Sequence, residues 1–179
     1  MISDKEKLAN RLHRITLDMD EALKYLDAHQ ELTTLTPERQ PASQPYLMKA
    51  LMGMAIISYC RGFTKSRTQG HAIEILDFKS LNISSQPWAI DMHKVLMDKR
   101  SQAVAHSDWK HHSTKLDVEY DEEMQHGGQV RMSSVPQYSD INHDDFKKLA
   151  SEILLETRFL RYGLDSQIIA AAQPPKSKS

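Results

Sequence analysis

Two residues of complementary chemistry, Arg100 and His106, lie in the segment Asp98-Lys99-Arg100-Ser101-Gln102-Ala103-Val104-Ala105-His106-Ser107-Asp108. Together they suit work on a phosphodiester. An imidazole titrating near neutrality can move protons to and from hydroxyls, and a guanidinium stays charged and fits two phosphate oxygens as negative charge builds on them. In that chemistry His106 is the acid or base and Arg100 the phosphate clamp. Arg61, in Tyr59-Cys60-Arg61-Gly62-Phe63, is a second cation able to enter such a site. On an ideal helix, six residues rotate by about 240° and rise by about 9 Å, so Arg100 and His106 share a face only if the helix loosens near His106 or a second subunit contributes.

The same residues also have a purely structural use. A histidine or arginine in the last turns of a helix complements the dipole and caps free carbonyls, and the arginine stem covers apolar surface. Arg61 can equally well pair with Asp98 or Asp108. Tyr59 and Phe63 are expected in the core, as aromatic residues at helix ends usually are. His106-x-Asp108-x2-His111-His112 contains metal-ligand residue types, but neighbouring His111 and His112 point apart. Neither a helical His-Glu-x2-His nor a pair of cysteines is present. No metal and no cofactor is therefore expected, and the sequence carries no Walker loop, Rossmann glycine pattern or serine nucleophile elbow.

The Arg100-x5-His106 spacing near the end of a helix resembles the HEPN family of helical domains, many of which carry an Arg, four to six residues, then a His. The pairing of a Tyr-x-Arg-x-Phe segment with an Ala-His-Ser-Asp helix end is similar to uncharacterised bacterial members, and the likeness covers mainly residues 44 to 112. The residue after the Arg is often Asn, Asp or His in catalytic members; here it is Ser101, polar but without carboxylate or amide. The resemblance implies metal-independent RNA cleavage in which the ribose 2′-OH attacks the adjacent phosphorus. Arg100 and His106 would be catalytic, with Arg61, Ser101 and Asp108 binding substrate. It also implies a homodimer that places two copies of the motif around one cleft, and a role among toxins or phage-defence proteins with a cognate antitoxin or other partner protein. The alternative is a non-catalytic HEPN-like module that binds a protein or nucleotide.

The elements that must position these residues are legible as periodicities. Ser3 with Glu6 is a capping box, and Leu8, Leu12, Ile15, Met19, Leu23 and Leu26 recur at spacings of three and four, which predicts a helix over 4–29. After a proline-bearing loop, Pro45 starts a second helix that Gly62 is suited to end in the left-handed conformation. A short helix is expected around Ile73 to Phe78. Ser85-Gln86-Pro87 starts a third helix with Trp88, Met92, Val95, Leu96, Ala103 and Val104 inward, fraying near Ser107-Asp108. The period then changes to two: Leu116, Val118 and Tyr120, then Val130 and Met132, flank His126-Gly127-Gly128 and predict a β-hairpin over about 114–135. Asn142, Asp144 and Asp145 cap a last helix with Phe146, Leu149, Ile153, Leu160, Leu164 and Ile168 inward, until Pro174-Pro175 stop it.

The expected architecture is a mainly all-α, four- to five-helix HEPN-like bundle with an inserted β-hairpin. One domain spans 1–172, followed by a flexible tail over 173–179. A chain of 179 residues fits one core, and 40 % hydrophobic with 26 % charged residues excludes a disordered, collagenous or coiled-coil protein. With 23 Lys plus Arg against 24 Asp plus Glu there is no general pull on polyanions, so RNA contact must be local. The stretch Leu51 to Ile57 is too short to span a bilayer and Cys60 is alone; a cytoplasmic protein with neither leader nor membrane anchor is expected.

Overall fold

Local capping chemistry sets most helix starts. The computed structural model describes residues 3–36, 44–64, 67–68, 71–72, 76–104, 115–119, 129–133, 138 and 140–172; of these, 67–68, 71–72, 101–104, 115–119, 129–133 and 172 are described by backbone alone. Helix α1 (Asp4–Thr33) begins with the capping box: the Glu6 amide donates to Ser3 Oγ at 3.3 Å and the Ser3 amide to Glu6 Oε2 at 2.7 Å. It runs past the expected stop at residue 29 because its last carbonyls find donors. The Thr33 hydroxyl donates to Gln30 O at 2.6 Å, and the Gln44 amide, from the start of the next helix, donates to Leu32 O at 2.6 Å.

Helix α2 (Gln44–Arg61) ends differently from the expectation. Gly62 does not take the left-handed conformation; instead Gly62 N donates to Tyr59 O at 3.3 Å and Phe63 N to Cys60 O at 3.1 Å, a tightening of the last turn into i→i+3 bonds. What Gly62 supplies is closeness, since a Cβ there would meet the side chains of Ile15 and Met19 on α1 at 3.4 Å. Two residue pairs, β1 (Arg67–Thr68) and β2 (His71–Ala72), then form a minimal antiparallel ladder. Of the helix expected around 73–78, residues 73–75 lie outside the described residues. The chain instead makes two 3₁₀ turns, Phe78–Ser80 and Asn82–Ser85. The second is held by Glu156, whose carboxylate accepts from the amides of Asn82 (2.6 Å) and Ile83 (3.4 Å).

Helix α3 (Pro87–Val104) starts with proline in its first position, where a missing N–H costs no hydrogen bond; the expected fraying near Ser107-Asp108 lies outside the described residues. Strand β3 (Lys115–Glu119) pairs antiparallel with β4 (Gln129–Ser133), Asp117 opposite Arg131. The turn at His126-Gly127-Gly128 is outside the described residues. Helix α4 (His143–Ala172) is capped by Asn142, whose side-chain oxygen accepts from the amides of Asp144 (3.0 Å) and Asp145 (3.2 Å). The tail over 173–179 lies outside the described residues.

The described fold is thus mainly helical. One buried cluster draws on all four helices: Ile15, Met19 and Leu26 of α1, Ile56 and Tyr59 of α2, Ala89 and Leu96 of α3, Phe146, Leu149 and Ile153 of α4. Helices α1 and α4, both 30 residues long, lie together along the bundle. Thr16 and Thr157 meet between them, both buried, with hydroxyls 3.3 Å apart, and each hydroxyl also donates to its own helix, at Leu12 O and Ile153 O, both at 2.8 Å. Lys147 of α4 bridges to Asp27 of α1 at 2.6 Å. The expected inward stripe of α4 holds for Phe146, Leu149 and Ile153 but not for Leu160, which is exposed, or Leu164 and Ile168, which are half-buried. No helix among the described residues is long and apolar enough to cross a membrane.

Candidate functional site

Arg100 sits near the described end of α3, half-buried, where that helix packs on the end of α2. Its neighbour there is Cys60, whose thiol donates to Leu96 O at 3.4 Å. Burial pushes that thiol up to about 12, and the Arg100 guanidinium opposes the shift without reversing it. Cys60 is consequently a neutral, inert thiol at any physiological pH. Ser101 continues the α3 backbone, and its side chain is outside the described residues. His106, Asp108, His111 and His112 lie wholly outside them, so of the expected catalytic pair the structure positions Arg100 alone.

Arg61 is committed elsewhere. Its Nε stands 3.1 Å from Asp18 Oδ1, one Nη donates to Glu21, and the same Nη donates to Ser58 Oγ at 3.0 Å. These partners replace the expected Asp98 or Asp108. Glu21 also accepts from Ser58 Oγ at 3.1 Å and from the Tyr25 hydroxyl at 3.3 Å, so the arginine closes a polar seam between α2 and α1. Burial raises the Asp18 carboxyl and the charges of Arg61 and Arg14 hold that rise back. Successive helical residues point about 100° apart. Cys60 therefore meets α3 while Arg61 meets α1, and the two arginines answer to different neighbours rather than converging on one phosphate site.

Tyr59 and Phe63 are core residues, as expected, and they enclose a titratable group that spacing alone does not flag. The fully buried Tyr59 hydroxyl and His93 Nδ1 are 2.8 Å apart. The imidazole lies flat on Phe78, ring centroids 4.0 Å apart and planes 5° from parallel, and meets Phe63 edge-on at 5.0 Å. Burial lowers His93 to about 4, with Asp77 pulling the other way, so the ring is neutral at pH 7; in the tautomer protonated at Nε2, its Nδ1 accepts a hydrogen bond from the Tyr59 hydroxyl. The signal lay in its phase: His93 is four residues after buried Ala89 and three before buried Leu96, on the inward face of α3.

A histidine pair lies where the end of α1 meets the start of α4. His29 and His143 stack with centroids 5.3 Å apart, and His143 Nε2 bonds Leu26 O at 2.9 Å. They line a cavity of about 250 Å³ with Met48, Lys49, Met52, Tyr138 and Ile141. Burial lowers both His29, with His143 adding to the effect, and Lys49. His29 Nδ1 is buried without a hydrogen-bond partner among the described residues. Its desolvated position and the neighbouring His143 both disfavour the charged ring.

Among the described residues no group of three His, Cys, Asp or Glu side chains is placed to hold a metal ion. Compared with family models, curated proteins and solved structures, the chain matches none of them.

Proposed function

We propose that the chain is a HEPN-like helical bundle with the β3–β4 hairpin as an insertion, and that it cleaves RNA without a metal. Arg100 clamps the scissile phosphate and His106 moves the proton. In this reaction the 2′-oxygen bonds to phosphorus while its proton passes to the base. The bond from phosphorus to the 5′-oxygen breaks, and that oxygen takes up a proton, leaving a 2′,3′-cyclic phosphate and a 5′-hydroxyl. The observation that carries the reading is the position of Arg100, a half-buried cation near the described end of α3 beside a thiol that stays neutral and cannot cancel its charge. A homodimer with its axis near this end supplies the second Arg and His. Single-stranded RNA, a cognate antitoxin and a cytoplasmic setting belong to the same proposal; Ser101 and Asp108 remain in it as substrate contacts, whereas Arg61 is assigned to the α1–α2 seam.

The test is cleavage of single-stranded RNA by purified protein in excess EDTA, with end-group analysis for the cyclic phosphate. Abolition of cleavage by the chelator overturns the mechanism. His106→Ala should remove cleavage and leave the melting temperature within a few degrees; a large loss of stability assigns His106 to capping.

A second reading, a non-catalytic binding and dimerisation module, is favoured by one specific observation: the outer face of α4 exposes Leu155, Phe159, Tyr162 and Ile169. A stable, folded chain that binds RNA weakly or not at all and cleaves none would support it.

A further inference from the structure

Helix α4 is apolar on two opposite faces. Phe146, Ile153 and Thr157 point into the bundle, while the outward face starts polar, with Asp145, Lys148 and Glu152 exposed, and then changes character. From there Leu155, Phe159, Tyr162, Ser166 and Ile169 follow at intervals of four, three, four and three, and the four large ones are between 61 and 78 % exposed. That alternation is the seam of a helix pair, in which apolar residues recur every 3.5 positions and insert between those of a facing helix. A face meeting only water has no use for it.

We infer that a second copy of this chain covers the stripe, its α4 lying antiparallel to the first. The charges beside the seam choose both direction and register. Arg158 and Asp165 lie on the same flank; each has a neighbour in its own chain, Asp20 at 3.8 Å and Arg161 at 3.4 Å, yet their side chains stay 56 and 44 % exposed and can meet a second, facing charge. In an antiparallel pair the equivalent flanks face each other. The register that stacks Phe159 on the partner's Tyr162, and by symmetry Tyr162 on the partner's Phe159, sets Arg158 against the partner's Asp165 twice. Slipping by one heptad in either direction opposes two Asp165 or two Arg158 side chains. A parallel pair would bring Arg158 beside the partner's Gly163 and Asp165 beside the partner's Ala170, with no complementary charge. In the favoured register Leu155 meets the partner's small Ser166, so bulk faces space on either side of the aromatic centre. Counting ~150–250 Å² for each aromatic and somewhat less for Leu and Ile, the stripe offers about 600 Å² per chain, close to the ~800 Å² a side of a stable pair.

This contact uses neither Arg100 nor His106, does not rest on the ribonuclease reading, and is a second interface distinct from the one proposed near the end of α3. Sedimentation equilibrium of the full chain should give at least twice the 20.5 kDa chain mass, and Phe159→Glu should remove only the α4 contribution. Phe159→Glu should weaken self-association about 100-fold or more while helical circular dichroism is kept, because Phe159 is 78 % exposed in the single chain. Arg158→Asp and Asp165→Arg should each weaken it about tenfold. An equimolar mixture of these two variants should recover the wild-type affinity as a heterodimer: each new aspartate then meets a new arginine, and an original Arg158 meets an original Asp165. A wild-type monomer at about 100 µM overturns the inference, and association of that monomer with lipid vesicles would assign the stripe to a membrane surface instead. An undiminished Phe159→Glu dimer overturns it as well, and failure of the mixture to recover overturns the antiparallel register.

Discussion

Two arginines flank Cys60, Arg61 next to it on α2 and Arg100 across from it on α3, yet they are built on different terms. At the end of α2 every polar group has a partner inside the fold: Arg61 with Asp18, Glu21 and Ser58, Cys60 with Leu96 O, Tyr59 with His93. A residue so engaged stabilises and cannot at the same time grip a ligand, since its donors are already directed and its charge already compensated. At the end of α3 the arginine is half-buried beside a thiol that stays neutral, so Cys60 does not compensate its charge. The contrast separates two uses of one residue type by what surrounds it rather than by its position on a helix.

The largest effect expected is at the closed end. Tyr59→Ala removes a fully buried ring that touches Phe63, His93 and Phe146, and should cost about 3–5 kcal/mol in denaturant melts, enough to unfold a marginal domain. Arg100→Ala should do the reverse: RNA cleavage falls by about 10²–10³-fold while the melting temperature moves by only a few degrees. If Arg100→Ala lowers the melting temperature by tens of degrees and leaves cleavage by the protein that is still folded unchanged, the two arginines are alike after all and the contrast fails.

Acid sharpens the comparison further. His93 sits at about 4 in the folded chain against an ordinary 6.5, so the unfolded chain takes up the proton first as pH falls. The stability that neutral His93 contributes is complete above about pH 6.5 and is lost progressively toward pH 4, amounting to about 2 kcal/mol once partial exposure is discounted. Melting curves across that window should show the loss. Tyr59→Phe, by removing the donor to Nδ1, should shift the midpoint upward, seen directly in the histidine ring resonances. Smallest of all, Arg61→Ala should cost about 1 kcal/mol and leave any RNA cleavage unchanged, because its partners Asp18 and Glu21 keep partial access to solvent.

Sequence reasoning succeeded where the determinant is local. Ser3 with Glu6, Pro87 and Asn142 each act on backbone groups within a few residues, and each begins its helix as expected. It failed where the determinant comes from afar. Arg61 is claimed by carboxylates some forty positions earlier, and α1 gains its last turn from Gln44 in the following helix, neither of which any local pattern announces. Gly62 was legible as a helix end but not in its manner, because the close approach of Ile15 and Met19 decides its role. Helix α4 misleads for a different reason. Its second half carries two interleaved apolar sets, Leu160, Leu164 and Ile168 beside Leu155, Phe159, Tyr162 and Ile169, and periodicity cannot tell which set faces the protein's own core. Of the candidate site, Arg100 is where the helix pattern put it; His106 and Asp108 lie outside the described residues.

The Thr16–Thr157 contact has a mechanical meaning. Two long helices packed through apolar side chains can trade one packing for another by sliding along each other, since one leucine is nearly as good a neighbour as the next. A hydroxyl on each, meeting its counterpart at a single level, acts as a detent together with the Lys147–Asp27 bridge: a shift of one helical turn, about 5.4 Å, would part both pairs, while each hydroxyl keeps the bond to its own helix. Shear between α1 and α4 is thereby quantised, and a tug on either end of the pair is met by a discrete step rather than a gradual creep.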